Sequence, residues 1–297
     1  MQKIKTSELD FPKIIQTHKD YCIEQLNILR AHDNNLPELS KDEIDQLFIK
    51  EPYDKSSKLK DIYTNNPKFE KYDFIDIYTK FRKYCKTKWC GWKLIQSLGI
   101  NVCPYCGQQY LAIATNKNNT IAEATLDHYF SKEKYKYLAL NFFNLIPVCK
   151  NCNSSYKGNS DERIVNPYSF SYGKYIRFEI KNLDIINYLD KSKNFKLHIT
   201  NLAKEPEIRL LVDKHTEILC IKERYEFFQT LIKSLILKKQ AYETSGITQL
   251  VIFLKKMQIK CDDKDIEDII LCSDIIAENE PMKKFKKDIW NQLSNSN

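Results

Sequence analysis

The chain has 297 residues, 42% of them hydrophobic, and a formal net charge of +8. That length can bury one large core or two to three smaller units. No apolar run approaches the roughly 18 residues of a membrane span, and the opening Met-Gln-Lys-Ile-Lys-Thr lacks the apolar segment of a secretory leader. A cytoplasmic protein that stays off the membrane is therefore expected. The charge permits nucleic-acid binding without establishing it, because lysine, asparagine and isoleucine are abundant along the whole chain.

Residues 1–99 read as a mostly helical region. Pro12 suits the first turn of a helix running to about Arg30, with Ile14, Ile15, Cys22, Ile23, Leu26 and Leu29 on or near one face. Ser40-Lys-Asp-Glu43 is a capping box opening a second helix that ends near Lys50. Residues 51–60 are polar and read as a loop, and a short element ends at 63–66. Residues 74–98 are aromatic-rich and read as one helix ending at Gly99, with Trp89 and Trp92 packing a core. Lys80, Arg82, Lys83, Lys86 and Lys88 read as its solvated face.

Residues 100–170 carry the chemistry. Cys103-Pro-Tyr-Cys106 and Cys149-Lys-Asn-Cys152 are two matched Cys-x-x-Cys pairs about 40 residues apart, the pattern of a closed tetrahedral, structural zinc site. Disulfides are not expected without a leader, and four free buried thiols rarely fall into matched pairs. Between the pairs, residues 122–128 alternate apolar and polar and read as a strand ending at Asp127-His128. Residues 129–143 are long enough to arch over a site. Residues 144–149 read as a second short strand, which Pro147 marks as an edge or a bend. A helix follows from about Cys152.

A zinc knuckle wrapped around Leu-Asp-His-Tyr-Phe-Ser-Lys and Asn-Leu-Ile-Pro-Val-Cys-Lys-Asn-Cys-Asn, closed by Lys157 and trailed by Asn166-Pro167-Tyr168, resembles the HNH endonuclease family. Within that family it resembles nucleases of bacterial anti-phage defence, of the Septu and retron-effector type. The resemblance covers residues 102–168. It implies an α+β chain with a ββα-metal nuclease centre between helical flanks. His128 is then the general base and Asp127 the first ligand of a catalytic Mg²⁺ or Mn²⁺. Asn144 is the asparagine that pins the loop. Asn153 stands where the family often has a histidine and would be the second metal ligand, although asparagine is equally at home as a helix cap. The family often has proline three residues after its histidine; here Ser131 stands there, which leaves the loop's shape open. The resemblance further implies an ATPase partner subunit.

Lys132, Lys134 and Lys136 lie in the loop after His128, interleaved with Tyr135 and Tyr137, and Lys150 and Lys157 flank the second cysteine pair. They are candidate phosphate contacts to DNA, or to RNA. Cys22, Cys85, Cys90, Cys220, Cys261 and Cys272 show no paired spacing and read as small buried hydrophobes. In residues 171–297, 174–180 and 194–200 alternate like a hairpin around 183–189. One long helix is expected over 207–242, with His215 a packed or surface histidine. Shorter helices are expected at 248–257, 264–271 and 281–293. Lys283, Lys284, Lys286 and Lys287 read as a solvated face of the last one. The flanks would position DNA, dock a partner or mediate self-association. An alternative reading keeps the zinc and discards the catalysis: an adaptor for nucleic acid or protein with a silent site.

Overall fold

α1 (Phe11–His32) begins with proline in its first turn, where a missing N–H leaves no helical bond unmade. Phe11, His18, Cys22 and Leu26 line its buried face. α2 (Lys41–Ile49) opens on the expected box: Glu43 N donates to Ser40 Oγ at 3.2 Å, and Ser40 N donates back to the Glu43 carboxylate at 2.7 Å. α3 (Asp61–Thr64) and a 3-10 turn (Phe69–Lys71) follow. The computed structural model describes residues 3–4, 10–54, 58–83, 88–115, 120–160, 162–181, 195–241, 253, 256, 257 and 280–294. Among them no helix is long and apolar enough to cross a membrane.

The single helix expected over 74–98 is two helices, α4 (Ile75–Phe81) and α5 (Gly91–Ser97). Cys90 is extended ahead of α5, and a Cβ at position 91 would lie 3.0 Å from Leu126 Cδ1. The missing side chain of Gly91 eases this tight approach of helix to strand, and helical periodicity carries no trace of it. Gly99, at φ +60°, ends α5 as expected.

β1 (Ile113–Thr115) pairs antiparallel with β2 (Thr120–Ala122). β3 (Ala124–His128) pairs antiparallel with β4 (Leu145–Cys149), Ala124 facing Cys149 and His128 facing Leu145. β4 is buried at every position, and Pro147 faces Leu126 in this two-stranded sheet, which leaves the strand an outer edge where its missing donor is tolerated. Between the strands lie two 3-10 turns, Lys136–Leu138 and Phe142–Asn144. The helix expected from Cys152 is a π-helical turn, Asn151–Lys157. Gly158 N closes it on Asn153 O at 2.9 Å, and Gly158 itself takes φ +52°. Wide turns of this kind concentrate at functional sites.

The chain divides into two compact units, Met1–Tyr172 with Lys204–Leu219, and Gly173–Ala203 with Cys220–Asn297. The expected boundary at residue 99 therefore falls inside the first unit. That unit also holds α6 (Pro206–Ile218), whose buried His215 ring stacks on Tyr172 at 4.1 Å and bonds through Nε2 to Tyr105 O at 2.9 Å.

The second unit is built on β5 (Ile176–Lys181) and β6 (Lys196–Asn201), antiparallel with Phe178 facing Ile199. Side chains accept from outward N–H groups on both sides of this sheet. Asp288 and Gln292 of α9 (Lys283–Ser294) accept from Phe178 N and Ile180 N. Glu226 of α7 (Ile221–Glu226) and Gln229 of α8 (Gln229–Ala241) accept from Leu197 N and Phe195 N. These side-chain contacts blunt the edges of a short sheet as templates for further pairing. The one helix expected over 207–242 is thus three, α6, α7 and α8. Cys220 breaks it at φ +46°, a left-handed conformation no propensity scale assigns to cysteine. Residues 183–189, the helix at 264–271, most of 248–257, and Cys85, Lys86, Cys261 and Cys272 lie outside the described residues.

Candidate active site and zinc site

The first cysteine pair sits on a tight hairpin. Val102 bridges Tyr110, Gly107 N donates to Cys103 O at 2.8 Å, and Gly107 adopts φ +65°. The second pair runs from the last residue of β4 into the π-helical turn. Together they bring four buried sulfurs within 4.8 Å of one another, with Cys106 and Cys149 at 3.9 Å. Tetrahedral zinc with bonds of about 2.3 Å sets its sulfurs about 3.8 Å apart, so the donor set fits zinc in number, type and spacing. Backbone N–H groups already point at the sulfurs: Cys149 N lies 3.4 Å from Cys103 Sγ and Gln108 N 3.5 Å from Cys106 Sγ. Burial pushes the Cys103 thiol well up, and hydrogen bonding with Cys103 does the same to Cys152. A dication reverses that preference by binding thiolates.

Asp127 and His128 end β3 and are both buried. The imidazole is oriented on two sides. Its Nε2 bonds Ala139 O at 3.0 Å, and the Tyr78 ring meets it edge-on at 4.3 Å. A carbonyl partner requires the proton on Nε2, which leaves the lone pair on Nδ1; among the described residues Nδ1 has no hydrogen-bond partner. Burial holds His128 down at about 3, with the nearby Lys132 and Lys157 charges acting in the same direction. The ring is therefore neutral at physiological pH.

The loop that supplies the Ala139 carbonyl is held from several directions. Asn144 accepts from Phe130 N at 2.7 Å and donates to Phe130 O and Leu138 O. Asn141 donates to Gln46 O, Leu47 O and Lys50 O at the end of α2, and accepts from Phe143 N and Asn144 N. His18 of α1 bonds Leu140 O at 2.8 Å and receives Trp89 Nε1 at 3.2 Å. Two neutral imidazoles thus grip adjacent carbonyls, His18 at residue 140 and His128 at residue 139. Sequence reasoning missed His18, Asn141 and Tyr78, because their partners are distant along the chain.

Asp127 is closed in. Tyr105 Oη donates to one carboxylate oxygen at 2.7 Å, and Lys157 Nζ to the other at 3.1 Å. Lys157 also donates to His128 O at 2.8 Å. Burial raises the Asp127 carboxyl, and the Lys157 charge opposes that rise. Asn153, one turn earlier, donates to Thr125 Oγ1 at 3.0 Å and Leu126 O at 3.3 Å. The group that meets Asp127 from the helical turn is therefore an ammonium, not the Asn153 amide. In this arrangement the pair Asp127 and Asn153 does not fit a divalent cation.

Of the candidate phosphate contacts, Lys157 is buried in this ion pair, not displayed on the surface. Lys132 pairs with Glu133 at 2.7 Å, Lys136 with Asp73 at 2.9 Å, Lys134 lies 5.2 Å over the Tyr135 ring, and Lys150 is exposed. Tyr105 was legible only as the residue inside Cys-Pro-Tyr-Cys; nothing in the spacing aimed it at Asp127.

The chain is similar to Septu protein PtuB of Bacillus thuringiensis, with 29% identity over 147 residues that cover 42% of this chain and 54% of that protein. The chain spans about half the length of the curated relative it matches. No family model matches the chain, and no solved structure matches it.

Proposed function

We propose that this chain is an HNH-type endonuclease that hydrolyses phosphodiester bonds in DNA as the effector of a bacterial anti-phage defence system. The observation that carries this reading is the state of His128: a neutral imidazole at a strand end, fixed through Nε2 and Tyr78, with a free Nδ1 lone pair. Such a group can take a proton from a water about 3 Å away as that water attacks phosphorus. The antiparallel β3–β4 pair followed by a helical turn and braced by a zinc-compatible cysteine cluster supports the fold assignment. The similarity to Septu protein PtuB supports the defence role. A DNA phosphate near Lys132 would partly cancel the positive field at His128 and move it back towards its ordinary value, strengthening the base when substrate binds. The exposure of Lys134, Lys136 and Lys150 supports their reading as contacts to the phosphate backbone. An ATPase subunit is the expected partner.

The test is plasmid cleavage by the complete chain with its partner. His128→Ala is expected to retain zinc and fold and to lose about 10²- to 10⁴-fold in rate; cleavage at the wild-type rate would sink the assignment. A second reading, a zinc-stapled adaptor with a silent site, is favoured by one specific observation, the occupation of both Asp127 oxygens by Tyr105 and Lys157. It expects wild type and His128→Ala alike to bind DNA without cutting it.

A further inference from the structure

We infer that the Lys157 ammonium is the resident cation of the Asp127 pocket and bars a divalent ion from that carboxylate in the protein free of nucleic acid. This rests on the nuclease reading only in taking Asp127 as the carboxylate a catalytic cation would seek. Lys157 is 4% exposed and Asp127 2%, so the pair is shut away from water. The ammonium spends one donor on Asp127 and another on His128 O, at 3.1 and 2.8 Å. Tyr105, with no exposed surface, occupies the second carboxylate oxygen. A hard dication needs about six oxygen ligands, several of them water, at about 2.1 Å. Here the only described cluster of three or more histidine, cysteine or carboxylate donors is the four-cysteine site. A dication on Asp127 would sit beside an ammonium in a pocket of low polarity, and like charges repel most strongly there. A buried carboxylate with one buried ammonium is balanced; two further positive charges would be left uncompensated. The π-helical turn produces this arrangement. Closed by Gly158 N on Asn153 O, it sends Lys157 to Asp127 while Asn153 is held against Thr125 and Leu126.

The experiment uses the complete chain with zinc loaded and Mn²⁺ as the probe, read by anomalous scattering from Mn²⁺-soaked crystals and by electron paramagnetic resonance in solution. Wild type is expected to show no manganese on Asp127. Lys157→Met, and separately Lys157→Gln, which keeps a donor for His128 O, are expected to bind one manganese there, with the signal lost again on adding Asp127→Asn. Manganese on Asp127 in wild type overturns the inference, and so does a folded, zinc-bearing Lys157 variant that stays empty. Loss of zinc and fold in both variants also overturns it, since the ammonium would then serve the fold instead of excluding a metal. Manganese binding is read without cleavage, so this inference and the nuclease reading can fail independently.

Discussion

Cys149 closes one end of the β3–β4 ladder, facing Ala124, and His128 closes the other, facing Leu145. At the first end four buried thiols crowd together with spacing that a tetrahedral cation would match. At the second, a buried carboxylate already holds an ammonium and a phenol, and a buried imidazole already holds a carbonyl. Both ends contain residues expected as metal ligands, the cysteines from their spacing and Asp127 from the family resemblance. Buried polar groups must find partners on folding, and whether those partners come from the chain or from outside separates the two ends. The four thiols converge on a space that an outside cation can fill; Asp127 is satisfied by its own chain.

The largest expected effect tests the first end. Structural zinc binding contributes on the order of 10 kcal/mol, which is largely folding free energy. Cys149→Ser is expected to release about one zinc per chain, lower solubility and abolish function that added Mg²⁺ cannot restore. Metal analysis decides it: zinc retained in full by the variant, or absent from wild type, would erase the contrast between the two ends.

A smaller effect comes from acid. His18 is held down at about 4 and His128 at about 3, against an ordinary 6.5, both chiefly by burial. In the unfolded chain they take up protons as pH falls below about 6.5, and in the folded chain they do not. Stability is therefore full above that pH and falls steadily towards pH 4, by several kcal/mol in total. Thermal melts in excess zinc from pH 7.5 to 4 measure this. Replacing His18 with Gln should flatten part of the slope, and an unchanged slope would show that His18 does not contribute to acid stability.

The smallest change sharpens the second end. Tyr105→Phe removes the bond to Asp127 and nothing else from the zinc hairpin, and should cost about 1–3 kcal/mol in denaturant unfolding with zinc content unchanged. A loss near zero would mean that Lys157 alone satisfies the carboxylate.

Local order was legible wherever neighbours in sequence are neighbours in space. The Ser40–Glu43 box, proline at the start of α1, the strand ending at His128 and the cysteine pairs all rest on residues within one turn or one strand of each other. Their geometry follows from backbone dihedrals and ligand size, and the α+β class followed from the family resemblance together with the helical patterns of the flanks. Only the tertiary structure decided where helices break: α5 begins at Gly91, close against Leu126, and Cys220 takes a left-handed turn. Only it could set Tyr105 and Lys157 on Asp127, and His18 on Leu140, across separations of 22, 30 and 122 residues. A sequence pattern names groups able to bind a cation or a proton. Which of them remain free to do so depends on what the fold has already placed against them.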